Sequence, residues 1–152
     1  KKSLWALEIL SEEGYKYDSS IFPFENFLYG ISGAPRSKYS SKIFNENSDL
    51  LEIPPSTIKL CGDRNIPFSG GVYFRALPLF VIDKFTNMVN KEGNPVIFYL
   101  HPREIDKNQP RLKLSKRDGF IHYFGINRCE SKLNYIINKF DFDTISNIYI
   151  KS

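Results

Sequence analysis

The amino-acid sequence predicts an α/β fold in which parallel strands are flanked by helices. Three observations favour this class. Helical patterns of apolar residues alternate with short β-type segments, and one apolar run without polar alternation is typical of a strand buried on both faces. The 152 residues are 41% hydrophobic and 25% charged, as expected of roughly one globular domain.

The first predicted elements are a helix and a short strand. Ser3 is the expected N-cap and Gly14 the stop of the helix. Its apolar residues are Leu4, Trp5, Leu7, Ile9 and Leu10. The alternation that follows predicts a strand from Tyr15 to Asp18, with Asp18 at the C-terminal end.

The middle of the chain predicts loops, short β segments and one long helix. Residues 23–49 are rich in Ser, Asn, Gly and Pro, and we expect a long excursion of the kind used for binding or as a lid. In LLEIPPSTIKL, Pro54 and Pro55 interrupt the β segments. From Leu77 to Asn90 apolar residues recur at helical spacing, with Gly93 as the stop.

The last third predicts a strand, a helix and a closing strand. PVIFYL, residues 95–100, is the apolar run that suits a strand buried on both faces. Asn127 and Glu130 resemble a capping box, followed by a helix face formed by Leu133, Ile136, Ile137 and Phe140. TISNIYI, residues 144–150, predicts the closing strand, so that parallel pairing with right-handed crossovers is expected.

Charge and cysteine content exclude several classes of protein. The net charge is +4, but no basic run exceeds two residues and Lys and Arg alternate with Asp and Glu, which argues against nucleic-acid binding. Cys61 and Cys129 belong to no metal-binding cluster and are expected to be free thiols, with a single disulfide as the alternative. No apolar stretch approaches the roughly 20 residues of a membrane span, so no transmembrane segment is expected.

The start of the chain suggests a fragment. KKSLWALEIL lacks Met and lies inside a helical pattern, with no strand before it. A truncated sheet would expose an unpaired edge, which predicts self-association.

His101 is the first candidate catalytic residue. In FYLHPREID it follows directly on the predicted buried strand, and active sites assemble at the C-terminal ends of parallel strands. Histidine titrates near neutral pH and is therefore suited to proton transfer. In the alternative interpretation His101 only caps the strand end.

Several short blocks together resemble a known family. YDSSIFP, LLEIPPST, GGVYFRALP, FYLHPREIDKNQPR and GFIHYFGINRCESKL follow one another as in the C-terminal part of the polysaccharide deacetylases, carbohydrate esterase family four with the NodB homology domain. The branch is that of bacterial exopolysaccharide loci, with a DUF3473-like C-terminal extension. The resemblance runs from about Leu4 to Phe142. It implies one partial domain over residues 1–152, belonging to a distorted (β/α) barrel, with the extension at about 108–152.

The resemblance also implies an activity. Enzymes of this family remove acetyl groups from N-acetylated amino-sugar polymers, using zinc or another divalent metal to polarise the amide and activate water. Their late Leu-x-His motif supplies the acid. Here Leu100 directly precedes His101, which is assigned as proton donor to the leaving amine. The base aspartate, the metal-binding aspartate and the His-x-x-x-His pair have no counterpart, so no metal ligand is assigned and the isolated chain is expected to be inactive.

Four further residues are expected to bind substrate. Asp18 would line the pocket or orient a catalytic partner, unless it caps a loop. Tyr73 would stack on a sugar and Arg75 would contact hydroxyls, unless both only anchor a loop in the core. Arg103 stands where the family often has Trp.

Two other functions stay open. Glu104 and Asp106 could form the carboxylate pair of a glycosidase, although solvated charge or helix capping also accounts for them. The second hypothesis for the whole chain is a non-catalytic carbohydrate-binding or assembly module in polysaccharide biosynthesis or export.

Overall fold

The chain divides into two compact units, Lys1–Leu100 and His101–Ser152. The structure is a computed structural model that describes residues 3–25, 30–60, 62 and 64–150. Helices and small sheets are both present, which confirms a mixed α/β protein. Within these described residues, no helix combines the length and the apolar character that crossing a membrane requires.

The first unit contains all the described strands and three helices. In chain order its elements are α1 (Ala6–Glu12), β1 (Tyr17–Asp18), β2 (Tyr39–Ser40), a 3₁₀ helix (Ser41–Ile43), β3 (Leu51–Glu52), β4 (Thr57–Lys59), β5 (Asn65–Pro67), α2 (Gly71–Ala76) and α3 (Leu79–Lys91). The predicted excursion at residues 23–49 thus contains one strand and a 3₁₀ turn in its described part.

The strands form two small sheets. In the first, the order is β1-β3-β2, with β1 parallel and β2 antiparallel to the central β3. In the second, β4 and β5 pair antiparallel. Parallel pairing is therefore confirmed for one pair of strands only, and no closed barrel is present among the strands described.

Two apolar clusters form the core of this unit. One contains Leu7, Ile21, Ala34 and Leu50, and the other contains Ile58, Phe68, Phe85 and Val89. Phe68 lies at the centre of the second cluster, with its ring edge-on to Phe85 at 5.6 Å and to Phe98 at 6.2 Å between centroids. The amphipathic face predicted for α3 is therefore the face that packs.

The second unit is helical. It contains a 3₁₀ helix (Pro102–Glu104), α4 (Lys116–Tyr123), α5 (Ile126–Lys139) and α6 (Ile145–Tyr149). Helix α5 buries Ile126, Cys129 and Ile136. Cys129 is a buried thiol that forms no disulfide, as predicted, whereas Cys61 lies outside the described residues.

Two predicted helices are confirmed at their stop signals. Helix α1 is followed by Gly14 with φ of 81°, and α3 by Gly93 with φ of 79°. Both values lie in the left-handed region that favours glycine.

The prediction of a doubly buried strand at residues 95–100 is wrong. The segment is half-buried or exposed, and its one bridge joins Tyr99 to Gly70. Ile97 is bonded to Ser56 instead: its carbonyl accepts from the Ser56 N–H at 3.1 Å, and its N–H donates to Ser56 Oγ at 2.9 Å. The Ser56 side chain thus accepts a hydrogen bond from Ile97 that the backbone of a neighbouring strand would accept in a regular sheet.

The prediction of a closing strand is also wrong, because residues 145–149 form α6. The Thr144 hydroxyl accepts from the Asn147 N–H at 3.2 Å, which caps a helix start. Helix α5 begins after Gly125 rather than at a capping box on Asn127. Helices α2 and α4 and strand β5 were missed, since their sequences lack a clear period.

We predict that Phe68→Ala lowers the free energy of unfolding by about 3–5 kcal/mol, because it empties a site at the centre of the core. Phe80→Ala is the control, since Phe80 is 73% exposed on α3 while Phe68 is 0% exposed. It should change stability by no more than about 0.5 kcal/mol. Urea unfolding of both variants tests this, and equal losses would contradict the assignment of the core.

Candidate functional site

Two carboxyl groups meet at one edge of the first sheet. Asp18 is the last residue of β1 and Glu52 the last residue of β3, and the two are directly paired in the parallel register. Tyr39 of β2 pairs with Glu52 from the other side. The three residues therefore form a row across the sheet, which we call the carboxyl row. It lies at the carboxyl ends of parallel strands, where α/β proteins commonly bind ligands.

Hydrogen bonds fasten the segment after β1 to β3. The Ile53 N–H donates to the Asp18 carbonyl at 2.8 Å, and Ser19 Oγ donates to the Ile53 carbonyl at 2.6 Å. The Ile21 N–H donates to Glu52 Oε1 at 2.9 Å, and the Ser20 hydroxyl donates to Asp18 Oδ2. Every residue from 18 to 21 thus has a bond that fixes its place.

Burial dominates the electrostatics of the row. Glu52 is 0% exposed, and this burial, followed by the nearby Asp18 carboxylate, raises the pKa of Glu52 to about 8, although the N–H groups of Ile21 and Ser20 oppose the shift. Burial also raises the pKa of Tyr39, with smaller contributions from Glu52 and Asp18. Among the described residues, the buried Tyr39 hydroxyl has no hydrogen-bond partner.

Tyr73 and Arg75 lie on α2. The Tyr73 ring contacts Phe22 and Phe24, with centroids at 6.4 and 6.0 Å, and is half-buried. Arg75 is only 2% exposed. The Tyr73 ring thus belongs to an aromatic cluster, and the Arg75 side chain is enclosed by the protein.

A cleft of about 780 Å³ lies on the same unit. Its lining includes Phe24 and three basic side chains, Arg36, Lys59 and Arg64, and Glu25 is the one acidic side chain among the described residues of the lining. Arg36 is held in place by the Thr57 carbonyl at 2.9 Å and the Glu92 carboxylate at 3.0 Å. The volume is in the range of small-ligand sites, roughly 300–1,000 Å³.

His101 begins the second unit and is the N-cap of the 3₁₀ helix. His101 is exposed, and its backbone N–H donates to Glu104 Oε2 at 3.1 Å. Glu104 is 2% exposed, so a buried carboxylate fixes the backbone at His101. Helix capping is therefore confirmed for Glu104, while Asp106 Oδ1 accepts from the Asn108 N–H at 2.9 Å in a local turn.

Arg103 contacts the second histidine of the chain. Its Nη1 lies 3.0 Å from Nδ1 of His122, which is carried by α4. The Arg103 carbonyl accepts from the Gln109 side chain. The guanidinium is exposed but already engaged by His122.

The predicted site residues thus fall into two groups. Asp18, Tyr73 and Arg75 belong to the first unit, and His101 and Arg103 to the second. Sequence reasoning missed Glu52 and Tyr39. The signal for Glu52 was present, since a single acid within the apolar run LLEIPP requires a buried partner. Tyr39 had no such signal.

No group of three or more His, Cys, Asp or Glu side chains in the described part of the chain is arranged to hold a metal ion. The carboxyl row supplies two carboxyls, and one of them is used by backbone N–H groups. The row by itself therefore does not fit a zinc site, which ordinarily takes at least three protein ligands.

Comparison with known proteins places the chain in a family. Residues 19–150 match DUF3473, a domain of unknown function, and since the match covers most of the chain, the protein belongs to this family. DUF3473 is a domain found with polysaccharide deacetylases. No curated protein and no solved structure matched the chain.

We predict that stability falls as pH rises from about 5 to about 8, because folded Glu52 binds a proton that the unfolded chain has already released. The pKa rises from 4.5 to about 8 on folding, and the loss should reach roughly 3–5 kcal/mol. Glu52→Gln should remove this slope, whereas Glu46→Gln, at an exposed carboxyl, should keep it. Urea unfolding across the pH range tests this, and an unchanged slope in Glu52→Gln would refute it.

We predict that Glu104→Ala loosens the backbone at His101, because the N–H of His101 loses its acceptor. Its amide should exchange with solvent faster by about tenfold, as expected for one lost hydrogen bond. Glu104→Gln retains a side-chain oxygen and should exchange nearly as the wild type does. Hydrogen exchange followed by NMR measures both, and equal rates in all three proteins would rule the cap out.

Proposed function

We propose that this chain is the C-terminal portion of a metal-dependent polysaccharide N-deacetylase, which hydrolyses the acetamido groups of N-acetylated amino-sugar polymers. The observation that carries the proposal is membership of DUF3473 over residues 19–150, because this domain is found with polysaccharide deacetylases. The sequence blocks that resemble that family lie largely within the same range.

His101 is the proposed general acid. It is exposed at the start of a short helix, and a buried carboxylate fixes its backbone. An acid that protonates the departing amine must reach the substrate while keeping a defined position. Both features support this role.

The substrate-binding residues are proposed to be Asp18, Tyr73, Arg75 and Arg103. Asp18 has the strongest support, since it lies half-buried at the carboxyl edge of the sheet beside Glu52. The basic cleft near Phe24 has room for a sugar unit. In the proposed enzyme these elements belong to a distorted (β/α) barrel of the NodB type.

Catalysis would require residues that this chain does not contain. The chain has two histidines, His101 and His122, and no His-x-x-x-His pair. Zinc or another divalent ion would polarise the amide carbonyl and activate water when bound by such residues. We therefore propose that the 152-residue chain alone is inactive.

Acetate release from N-acetylglucosamine oligomers with added zinc tests the proposal. The 152-residue chain is compared with the full product of the open reading frame that encodes it. Activity is expected in the full product alone, and His101→Ala should lower kcat by roughly 10²–10⁴-fold, the usual contribution of a general acid.

Lys107→Ala serves as the control, since Lys107 is an exposed neighbour in the same unit with no assigned role. It should keep wild-type activity. Full activity in His101→Ala would remove His101 from the mechanism. Sugar binding without acetate release from the full product would favour the non-catalytic carbohydrate-binding module.

A further inference from the structure

The carboxyl row places a fully buried carboxyl group directly opposite a second one. Glu52 is 0% exposed and is paired with Asp18 in the parallel register, and its Oε2 has no hydrogen-bond partner among the described residues. An ionised carboxylate only accepts hydrogen bonds, so a bond between two carboxyl groups requires a proton on one of them. A proton on Glu52 or Asp18 would therefore supply the partner that Oε2 lacks.

The other contacts of the pair are consistent with one proton. Glu52 Oε1 accepts from the Ile21 N–H at 2.9 Å, whereas Oε2 has no conventional donor among the described residues. Asp18 accepts from the Ser20 hydroxyl. The second oxygen of Glu52 is thus available for a bond to Asp18.

Among the described residues, no cation is one of the groups that shift the pKa of Glu52. The groups that act on Glu52 are the Asp18 carboxyl from β1 and the backbone N–H groups of Ile21 and Ser20. From β2 the row receives Tyr39, whose phenol is neutral at ordinary pH. Where two carboxyls share a site without a cation, holding one proton avoids the cost of two buried charges.

We propose that Asp18 and Glu52 share one proton at neutral pH, and that Glu52 is a positioning residue that holds the Asp18 carboxyl and the segment 18–21 at the carboxyl edge of the sheet. The statement that Asp18 then contacts the sugar rests on the proposed function. The shared proton and the positioning do not depend on it.

Two substitutions separate this role from simple packing. Glu52→Gln keeps an oxygen for the Ile21 N–H and an amide N–H that can donate to Asp18, but it cannot titrate. Glu52→Ala removes both contacts. Glu52→Gln is therefore the conservative variant: it should keep Asp18 and Ile21 in place but cannot hold the proposed proton.

The first measurement is the infrared carbonyl band of protonated carboxylic acids, recorded on the whole chain at about pH 6 and about pH 10, where ordinary carboxyls are ionised. We expect a band at the lower pH that disappears at the higher pH and is absent from Glu52→Gln. Absence of the band from the wild type, or its persistence in Glu52→Gln, would overturn the shared proton.

The second measurement is hydrogen exchange at the Ile21 amide. Protection in the wild type should fall as the pH passes about 8, beyond the intrinsic pH dependence of exchange, because two negative charges then repel. Glu52→Gln should stay protected across this range, and Glu52→Ala should lose roughly tenfold or more at every pH. Equal losses in Gln and Ala, or the wild-type pH profile in Gln, would overturn the positioning role.

Neither measurement requires a sugar. If the band and the protection behave as expected but the full product releases no acetate, the deacetylase proposal fails while the carboxyl pair stands. If acetate is released but the band is missing, the carboxyl pair fails and the deacetylase proposal stands.

Discussion

The buried carboxyl of Glu52 is the constraint on which the first sheet depends. Strands β1, β2 and β3 are each two residues long, so their ladders supply few hydrogen bonds. Glu52 adds a bond from the Ile21 N–H and lies directly opposite Asp18. Its complete burial makes the bond to Ile21 important, because a carboxyl group without any partner at 0% exposure would be costly. The Glu52 side chain thus helps to hold β3 and the segment after β1 together, which such short strands alone would not do.

The same solution recurs elsewhere in the first unit. Ser56 is hydrogen-bonded to both the carbonyl and the N–H of Ile97. Ser69 Oγ donates to the Ser56 carbonyl at 2.8 Å. Asn65 donates to the Pro23 carbonyl at 2.6 Å, and Arg36 to the Thr57 carbonyl at 2.9 Å. Irregular backbone can be buried here because side chains satisfy its polar groups. This allows a loop-rich unit to hold its side chains in defined positions.

The family match extends over both units, and so do the proposed site residues. Each unit contains a buried acidic side chain that accepts a hydrogen bond from a backbone N–H beside or at one candidate residue. Glu52 does this next to Asp18, and Glu104 does it for His101. In both cases a fully enclosed acid supports a more accessible residue, which is the arrangement that an active or binding site requires. The proposed deacetylase would use the first pair for binding and the second for proton transfer.

The sequence by itself determined the helices with clear periods and glycine stops and the strand that ends at Asp18, because local spacing and backbone preference are sufficient for such features. The resemblance of several sequence blocks also indicated the DUF3473 family. The sequence did not determine the secondary structure of residues 95–100 or 145–149, because apolar and β-branched composition suits either a strand or another buried segment. Only the tertiary structure decided that Ser56 replaces a ladder and that Thr144 caps a helix. It alone also decided that Glu52 meets Asp18, since strand register brings together residues that lie far apart in the sequence.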